Sequence, residues 1–290
     1  MIISLGIGFA FIAMLCWGFG DFSIQKSTRK LGDWETLFVI TSFGTVVLLP
    51  FVYRDLPKLF VESGDGLMVL ISSGIFLTCA SLLIFEGYKR GKIAVLEPLL
   101  AFEIPAASLL AFFVLGDRIS WLQIFVIVIL MVGLFMVSFR EKKFTKSFFL
   151  EKGVIIFFVG AIVMGFGDFL LGWGSRITNP LLANFILNLV MVTISSVFIL
   201  SQKKFGRMFR DIMANRSLML VMSIADNVAW IAYAFAMSLV PIAIATGLSE
   251  SSIIVAVILG LAISHEKLQR HQKIGLVIAL TSAIILAVIT

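Results

Sequence analysis

Six acidic side chains interrupt the long apolar runs of this 290-residue chain. They are Asp21, Glu97, Glu103, Asp168, Asp226 and Glu250. No Lys or Arg lies well inside any of these runs to pair with them. Holding such a group at the centre of a bilayer costs at least about 2.5 to 3.5 kcal/mol, so acids in this position normally face a cavity. Unpaired carboxyl groups there are suited to binding cations or relaying protons.

Two of the acids belong to an identical pentapeptide. Gly-Phe-Gly-Asp-Phe occurs at 18–22 and again at 165–169, which places Asp21 and Asp168 147 residues apart. Trp17 precedes Asp21 by four residues and therefore lies on the same face of a helix. We expect this acidic pair to form the centre of a binding site.

Asp226 begins a second group of candidate site residues. Spacings of four and three residues place Asp226, Trp230 and Tyr233 on one helical face, and Asn227 is adjacent. An acid beside aromatic rings is typical of a pocket for a cation. The same stripe is also compatible with a packing face that buries a tyrosine hydroxyl group.

Glu97 and Glu103 lie beside prolines. Glu97 precedes Pro98 and Glu103 comes two residues before Pro105, so the pattern predicts a helix that is interrupted twice. Backbone carbonyl groups freed in this way often line a solute path in membrane proteins. Glu250 takes a similar depth in a later apolar run, among serines.

Two further polar residues share a helical face. Asn184 and Asn188 are four residues apart and are candidates for contacting polar groups of a solute. Hydrogen bonds between neighbouring helices explain them equally well. For each intramembrane acid the alternative is a permanently neutral carboxyl group that bonds to backbone carbonyl groups.

The elements that position these residues are predicted to be membrane helices. Hydrophobic residues make up 60% of the chain and charged residues 14%, and the mean hydropathy is +1.09, which a soluble domain of this length cannot accommodate. A spanning helix needs about 20 mostly apolar residues. Ten segments meet that requirement: 4–24, 35–53, 66–85, 93–115, 119–139, 153–174, 180–200, 217–238, 241–263 and 273–289.

The basic residues indicate how these helices are oriented. Of the 23 Lys and Arg, 19 fall in or beside the odd-numbered loops. The positive-inside rule therefore places those loops in the cytoplasm and both termini outside, and the net charge of +6 indicates topology rather than a nucleic-acid partner. The seventh loop combines apolar residues at helical spacing with basic ones, which predicts an amphipathic helix on the membrane surface over 205–213. A solvated basic linker is the alternative.

The repeated pentapeptide divides the chain into two halves, 1–146 and 147–290. A second anchor supports this division, because Gly116-Asp117-Arg118-Ile119 and His265-Glu266-Lys267-Leu268 are 149 residues apart and each precedes the last helix of its half. Five helices per half is an odd number, so the second half must enter the membrane from the opposite side. Inverted repeats of this kind are common in transporters that work by alternating access.

The chain resembles the EamA family of the drug/metabolite transporter superfamily. The resemblance rests on the stretches 92–99 and 241–248, which begin the fourth and ninth segments, and on the Gly116-Asp117 and His265-Glu266 pairs that end them. It covers nearly the whole chain. It implies an all-α integral membrane protein with ten transmembrane helices arranged as two inverted five-helix repeats.

Together these observations predict a secondary transporter rather than an enzyme, located in the inner or plasma membrane. The expected partners are a small polar or cationic solute, protons and lipid, without nucleic acid, and the protein is either a monomer or a homodimer. The resemblance implies export of an amino acid, an amine or a drug-like solute.

Metals and cofactors are not expected. The only histidines, His265 and His271, lack metal-ligand spacing, and the chain contains no Walker A motif for ATP. An aspartyl intramembrane protease is the alternative function, since Gly-x-Gly-Asp is also a signature of that class. A scaffold without transport activity is a third possibility.

Overall fold

The structure is a computed structural model that describes residues 2–62, 64–91, 96–138, 153–203, 205–263 and 268–290. Within these ranges the chain is helical and contains no β-strand. The predictions that concern His265, Glu266, the basic fifth loop and residues 92–95 lie outside the described ranges.

Thirteen α-helices occur in the described ranges. They are α1 (Ile2–Lys30), α2 (Asp33–Val52), α3 (Leu56–Glu62), α4 (Gly64–Arg90), α5 (Glu103–Leu110), α6 (Trp121–Ser138), α7 (Val154–Ile177), α8 (Pro180–Ser201), α9 (Phe205–Ala214), α10 (Arg216–Leu239), α11 (Ile242–Ser249), α12 (Ser252–Ile263) and α13 (Arg270–Ile289). A 3₁₀-helix at Glu97–Phe102 precedes α5, and a π-helical turn at Ala111–Leu115 follows it.

Eight stretches are long and apolar enough to cross a membrane. They are α1, α2, α4, Glu97–Leu115, α7, α8, α10 and α13. Large apolar side chains cover the outside of the molecule, for example Phe113 and Val288, which are 77% and 79% exposed. Such a surface is suited to lipid rather than to water. The chain is therefore a multi-pass membrane protein.

The apolar segments and the helices overlap, but the helices are longer. The first apolar segment ends near residue 24, whereas α1 continues to Lys30. Arg29 and Lys30 occupy the last turn of α1, where positive charge is favourable against the helix dipole. Composition marks the apolar part of the helix, whereas backbone hydrogen bonding continues beyond it.

Two of the apolar segments are broken helices. The fourth changes from 3₁₀-helix to α-helix at Glu103, in agreement with the predicted interruption near the prolines. The ninth was predicted as one helix over 241–263, which is wrong: α11 ends at Ser249 and α12 begins at Ser252. The Glu250 and Ser251 amides bond back to the Thr246 and Leu248 carbonyl oxygens, which closes α11 before the next helix starts.

The principal helix packing joins the two predicted halves. The helix α4 packs along α7, α1 along α10, α6 along α13 and α2 along α8. Each pair takes one helix from residues 1–146 and one from residues 147–290. The core of the protein therefore lies between the halves rather than within either one.

Glycines bring broken and unbroken helices close together. A Cβ atom at Gly165 on α7 would lie 2.7 Å from the Glu103 carbonyl oxygen, and one at Gly18 on α1 would lie 2.6 Å from Val255 Cβ. Gly18 and Gly165 are equivalent positions of the repeated pentapeptide. The pentapeptide glycines therefore allow α1 and α7 to touch α12 and α5.

Two arginines at equivalent positions clamp opposite ends of the bundle. Arg29 donates to the Tyr88 and Gly91 carbonyl oxygens at 3.1 and 2.7 Å. Arg176 donates to the Met237 and Val240 carbonyl oxygens at 2.8 and 3.1 Å. We name the two ends of the bundle the Arg29 side and the Arg176 side.

The Arg176 side also contains an ion pair between the halves. Arg176 Nη1 and Nη2 donate to the Asp117 oxygens at 2.6 and 2.9 Å, and the Ile242 amide donates to Asp117 at 3.0 Å. Gly116 directly before Asp117 has a φ of +68°, a left-handed conformation that favours glycine. The ion pair thus joins the end of α7 to the chain between Leu115 and Trp121.

The predicted amphipathic segment forms the helix α9. Phe205, Phe209 and Met213 are exposed along one stripe, and Met208 is buried against the bundle. This confirms the helix over residues 205–213.

Candidate functional site

A cavity lies at the centre of the bundle. It has a volume of about 90 Å³ and is lined by residues of α1, α2, α4, the 3₁₀-helix, α5, α7, α8 and α10, together with Glu250 at the break before α12 and Ser252 at its start. Its acidic lining residues are Asp21, Glu103, Asp168, Asp226 and Glu250. Among the described residues, no Lys, Arg or His lines it. Five of the six predicted acids therefore share one cavity.

The two aspartates of the repeated pentapeptide both face this space. Asp21 is partly buried, and Asp168 is only 1% exposed. Neither carboxyl oxygen of Asp168 has a hydrogen-bond partner among the described residues. The Glu103 carboxyl group and the Tyr233 hydroxyl group approach it. Buried acceptors normally have a donor, and the Glu103 carboxyl and Tyr233 hydroxyl groups are the neighbouring side chains able to supply one.

Two glutamates lie at helix breaks, where backbone geometry presents them to the cavity. Glu103 is at the change from 3₁₀-helix to α5, and Glu250 is between α11 and α12. They are 4% and 6% exposed. They are not equivalent positions of the repeat, because Gly165 lies against the Glu103 carbonyl oxygen whereas Gly18 lies against the Ser252 carbonyl oxygen. Among the acids that line the cavity, Asp21 and Asp168 are the pair that the repeated pentapeptide relates.

Asp226 lies in an aromatic corner of the cavity. Trp17 and Trp230 line the cavity beside it, with ring centroids 5.4 Å apart in an edge-to-face arrangement. Both indole groups approach the Asp226 carboxyl group. Tyr233, predicted to share this stripe, does not line the cavity: it packs against both tryptophans, and its hydroxyl group bonds to Thr246 Oγ1 at 2.7 Å.

Glu97 lies outside the cavity lining. Its carboxylate accepts a hydrogen bond from the Tyr88 hydroxyl group at 2.5 Å, and Tyr88 itself lines the cavity. The sequence analysis did not single out Tyr88. Its position near the end of an apolar helix carries no motif, so only the folded structure reveals that it partners an acid.

The asparagines mainly join helices to one another. Asn188 Nδ2 donates to the Asn184 carbonyl oxygen at 2.9 Å and to Asn227 Oδ1 at 3.3 Å, while Asn227 Nδ2 donates to the Ile40 carbonyl oxygen at 3.0 Å. Asn184 Nδ2 donates to the Pro180 carbonyl oxygen within α8 at 2.9 Å and to the Trp230 carbonyl oxygen of α10 at 3.3 Å. Of the three, only Asn188 lines the cavity. The geometry favours the alternative of hydrogen bonding between helices for Asn184 and Asn227.

The cavity extends toward one end of the bundle. Ile24, Leu37 and Tyr88 continue its lining toward the Arg29 side. Asp117 and Arg176 are not among the lining residues. Within the described ranges, no three His, Cys, Asp or Glu side chains come together as metal ligands.

Comparison with known proteins identifies related sequences and folds. The model of the EamA-like transporter family matches residues 4–139 and again residues 151–288. An uncharacterized transporter of Archaeoglobus fulgidus is 27% identical over 86 residues, which is 30% of this chain and 31% of that protein. A crystal structure with 12% sequence identity superposes with a TM-score of 0.73 over 98% of this chain and 96% of the other. That likeness concerns the fold.

Proposed function

Because the chain belongs to the EamA-like transporter family, we propose that it is a secondary transporter of a small polar or cationic metabolite, such as an amino acid, an amine or a drug-like solute. The central observation is the cavity, where five carboxyl groups meet without a basic side chain among the described lining residues. Such a lining favours positively charged groups over negative ones. Pockets for drug-sized ligands have volumes of about 300 to 1,000 Å³, so the cavity of about 90 Å³ favours the amino acid or the amine over the drug-like solute.

We also propose that ten helices cross the bilayer as two inverted repeats, residues 1–146 and 147–290. The two shorter apolar stretches, α6 and the α11 to α12 region, then add to the eight longer spans. The family model matches twice, once on each side of this boundary. Helix packing between the halves, with α4 along α7 and α1 along α10, also agrees with a twofold relation.

Protons are the proposed coupling ion, with export as the proposed direction in the inner or plasma membrane. A carboxyl group in a low-dielectric cavity is costly to ionise, so it readily exchanges a proton when a cation enters or leaves. Asp21, Glu103, Asp168 and Glu250 provide this exchange from both halves. Proton release on one side and solute binding on the other then become linked through the same carboxyl groups.

The alternative of an aspartyl intramembrane protease receives no support from the comparisons. The family match is to transporters, and it includes both Gly-x-Gly-Asp segments.

A monomer and a homodimer are both compatible with two halves in one chain.

Proteoliposomes loaded with protein test this function. Uptake of amino acids, amines and lipophilic cations is measured with and without an imposed pH gradient, for wild type, Asp21→Asn, Asp168→Asn and Asp226→Asn. We expect at least one solute to accumulate only with the gradient, and accumulation to be lost in the variants. The control is Asp65→Asn, an exposed acid outside the cavity. Unchanged transport and pH dependence in all three variants contradicts the proposal.

A further inference from the structure

The cavity continues between two helices that contact each other little. The helix α2 packs along α8 and α4 packs along α7, whereas α2 and α4 are only loosely apposed. Both helices nevertheless line the cavity where it extends toward the Arg29 side, through Leu37 of α2 and through Phe85 and Tyr88 of α4. The space between α2 and α4, which we call the α2–α4 cleft, therefore leads from the cavity toward that side.

An ion pair crosses the outer end of this cleft. Lys89 Nζ on α4 lies 2.9 Å from Asp33 Oδ2 at the start of α2. Asp33 precedes Leu37 by one turn of α2. Lys89 follows Phe85 by one turn of α4. The ion pair therefore lies one turn beyond the cavity lining, on the way out to the Arg29 side.

The partners of this ion pair allow it to break and form again. The Asp33 side chain is 10% exposed, and its Oδ1 is buried without a hydrogen-bond partner among the described residues. Lys89 also forms an ion pair with Glu86 on its own helix. When α2 and α4 separate, water reaches the Asp33 carboxylate and Glu86 remains beside Lys89. Neither charge is then left buried and unpaired, which is the costly outcome.

The two ends of the bundle carry ion pairs of different kinds. On the Arg176 side, two nitrogens of Arg176 contact both oxygens of Asp117. On the Arg29 side, Lys89 contacts one oxygen of Asp33. Bidentate contacts between arginine and a carboxylate are the stronger kind. The Asp33–Lys89 pair is therefore the easier of the two to separate.

On the basis of the proposed transport function, we infer that the α2–α4 cleft is the route by which the solute passes between the cavity and the Arg29 side. The Asp33–Lys89 ion pair is the latch that closes this route. Opening moves the start of α2 away from the end of α4 and widens the cleft at Leu37 and Tyr88. The cavity is then continuous with the solution on the Arg29 side.

A cysteine in the cavity tests the route. The reporter is Ser81→Cys, at a lining position of α4, in a chain whose own thiols are removed by Cys16→Ala and Cys79→Ala. Its rate of reaction with a membrane-impermeant methanethiosulfonate reagent is measured from each face of sealed membrane vesicles. Lys26→Cys, exposed on the Arg29 side, identifies that face. We expect Asp33→Asn to raise the rate about two- to fivefold from the Arg29 face alone, as the strength of partly exposed ion pairs implies.

Two further variants separate the latch from a general loosening of the bundle. Glu86→Gln removes the partner of Lys89 on the same helix and keeps the pair across the cleft, so its reporter should react at the wild-type rate. Asp33→Lys/Lys89→Asp exchanges the two charges and should bring the rate back toward wild type. Equal rates in Asp33→Asn and wild type overturn the latch, as does an equal increase in Glu86→Gln. Faster reaction from the Arg176 face alone overturns the route.

Solute uptake, measured separately on the wild-type chain, keeps this inference apart from the transport function. Uptake driven by a pH gradient, together with unchanged reporter rates in Asp33→Asn, overturns the latch and leaves transport standing. Absence of uptake for every solute overturns the proposed function, whatever the reporter rates are.

Discussion

The Asp168 carboxyl group is only 1% exposed, and neither of its oxygens has a hydrogen-bond partner among the described residues. Burying it in an ionised form therefore costs free energy of folding. Removing its ability to ionise should therefore separate stability from function. We predict that Asp168→Asn leaves the melting temperature unchanged or raised, because burying a neutral amide costs less than burying a charge. Transport driven by a pH gradient should fall at least about tenfold, since proton transfer by a positioned group contributes about 10² to 10⁴ in comparable chemistry.

Differential scanning fluorimetry and proteoliposome uptake of the same preparation measure the two effects. A melting temperature of Asp168→Asn far below that of wild type, or normal transport by this variant, contradicts the assignment of Asp168 as a proton-exchanging group.

The Tyr88 and Glu97 side chains form a buried hydrogen bond of 2.5 Å at the edge of the cavity. Tyr88→Phe leaves the Glu97 carboxyl group without that donor, and an unsatisfied buried group costs about 1 to 3 kcal/mol. We predict a lower melting temperature for Tyr88→Phe and partial recovery in Tyr88→Phe/Glu97→Leu. A double-mutant cycle with the two single variants measures the coupling. Additive effects would mean that the bond contributes nothing to stability.

At this scale the sequence shows where the acids lie but not which side chains they contact. A charge in an apolar run is visible in the chain itself, so Asp21, Asp168 and Asp226 could be singled out as candidates. Tyr88 was missed because a tyrosine in a membrane helix is ordinary. Which of Asn184 and Asn188 faces the cavity depends on the rotation of α8 against its neighbours, which spacing alone does not give.

The helices that cross near the acids depend on glycines of the repeated pentapeptide. Gly165→Ala places a methyl group 2.7 Å from the Glu103 carbonyl oxygen, so α5 and α7 must separate. We predict a loss of about 1 to 3 kcal/mol, typical of an overpacked core, together with weaker transport because Glu103 moves with α5. Thermal unfolding in detergent and uptake assays measure both.

Gly8→Ala is the matched control for this substitution. No atom lies within 4 Å of a Cβ atom built there, so alanine gains helix propensity at no steric cost and should be neutral or stabilising. If Gly8→Ala and Gly165→Ala behave alike, the close approach of α5 and α7 is not important for stability.

The helices themselves were predictable to different degrees. Apolar length located the crossing segments, and Pro98 and Pro105 indicated the interruption that precedes α5. The break at Glu250 lies in a stretch without proline, so hydropathy predicted a continuous helix there. Its cause is the closing of α11 by backbone hydrogen bonds to Thr246 and Leu248, which depends on packing around the cavity.

For the whole molecule, the ion pair between Asp117 and Arg176 joins the two halves on the side away from the cavity lining. Asp117→Asn leaves Arg176 with the carbonyl oxygens of Met237 and Val240 and weakens the Ile242 contact. Hydrogen bonds to charged groups contribute about 1.5 to 3 kcal/mol. We predict that the variant opens the Arg176 side more readily.

Hydrogen–deuterium exchange of residues 116–121 and 240–244 measures this opening. Faster exchange in Asp117→Asn than in wild type or in Asp65→Asn is the expected result. Equal exchange in all three proteins would show that the ion pair does not hold the halves together.

The Asp117–Arg176 pair is not fully shielded, since its side chains are 16% and 24% exposed. Dissolved electrolyte therefore reaches it, and at physiological ionic strength the Debye length is only about 8 Å. Added salt weakens this bridge by screening while leaving the deeply buried carboxyl groups largely unaffected. The salinity of the medium on that face should consequently change the number of transport cycles per second without changing the affinity for the solute.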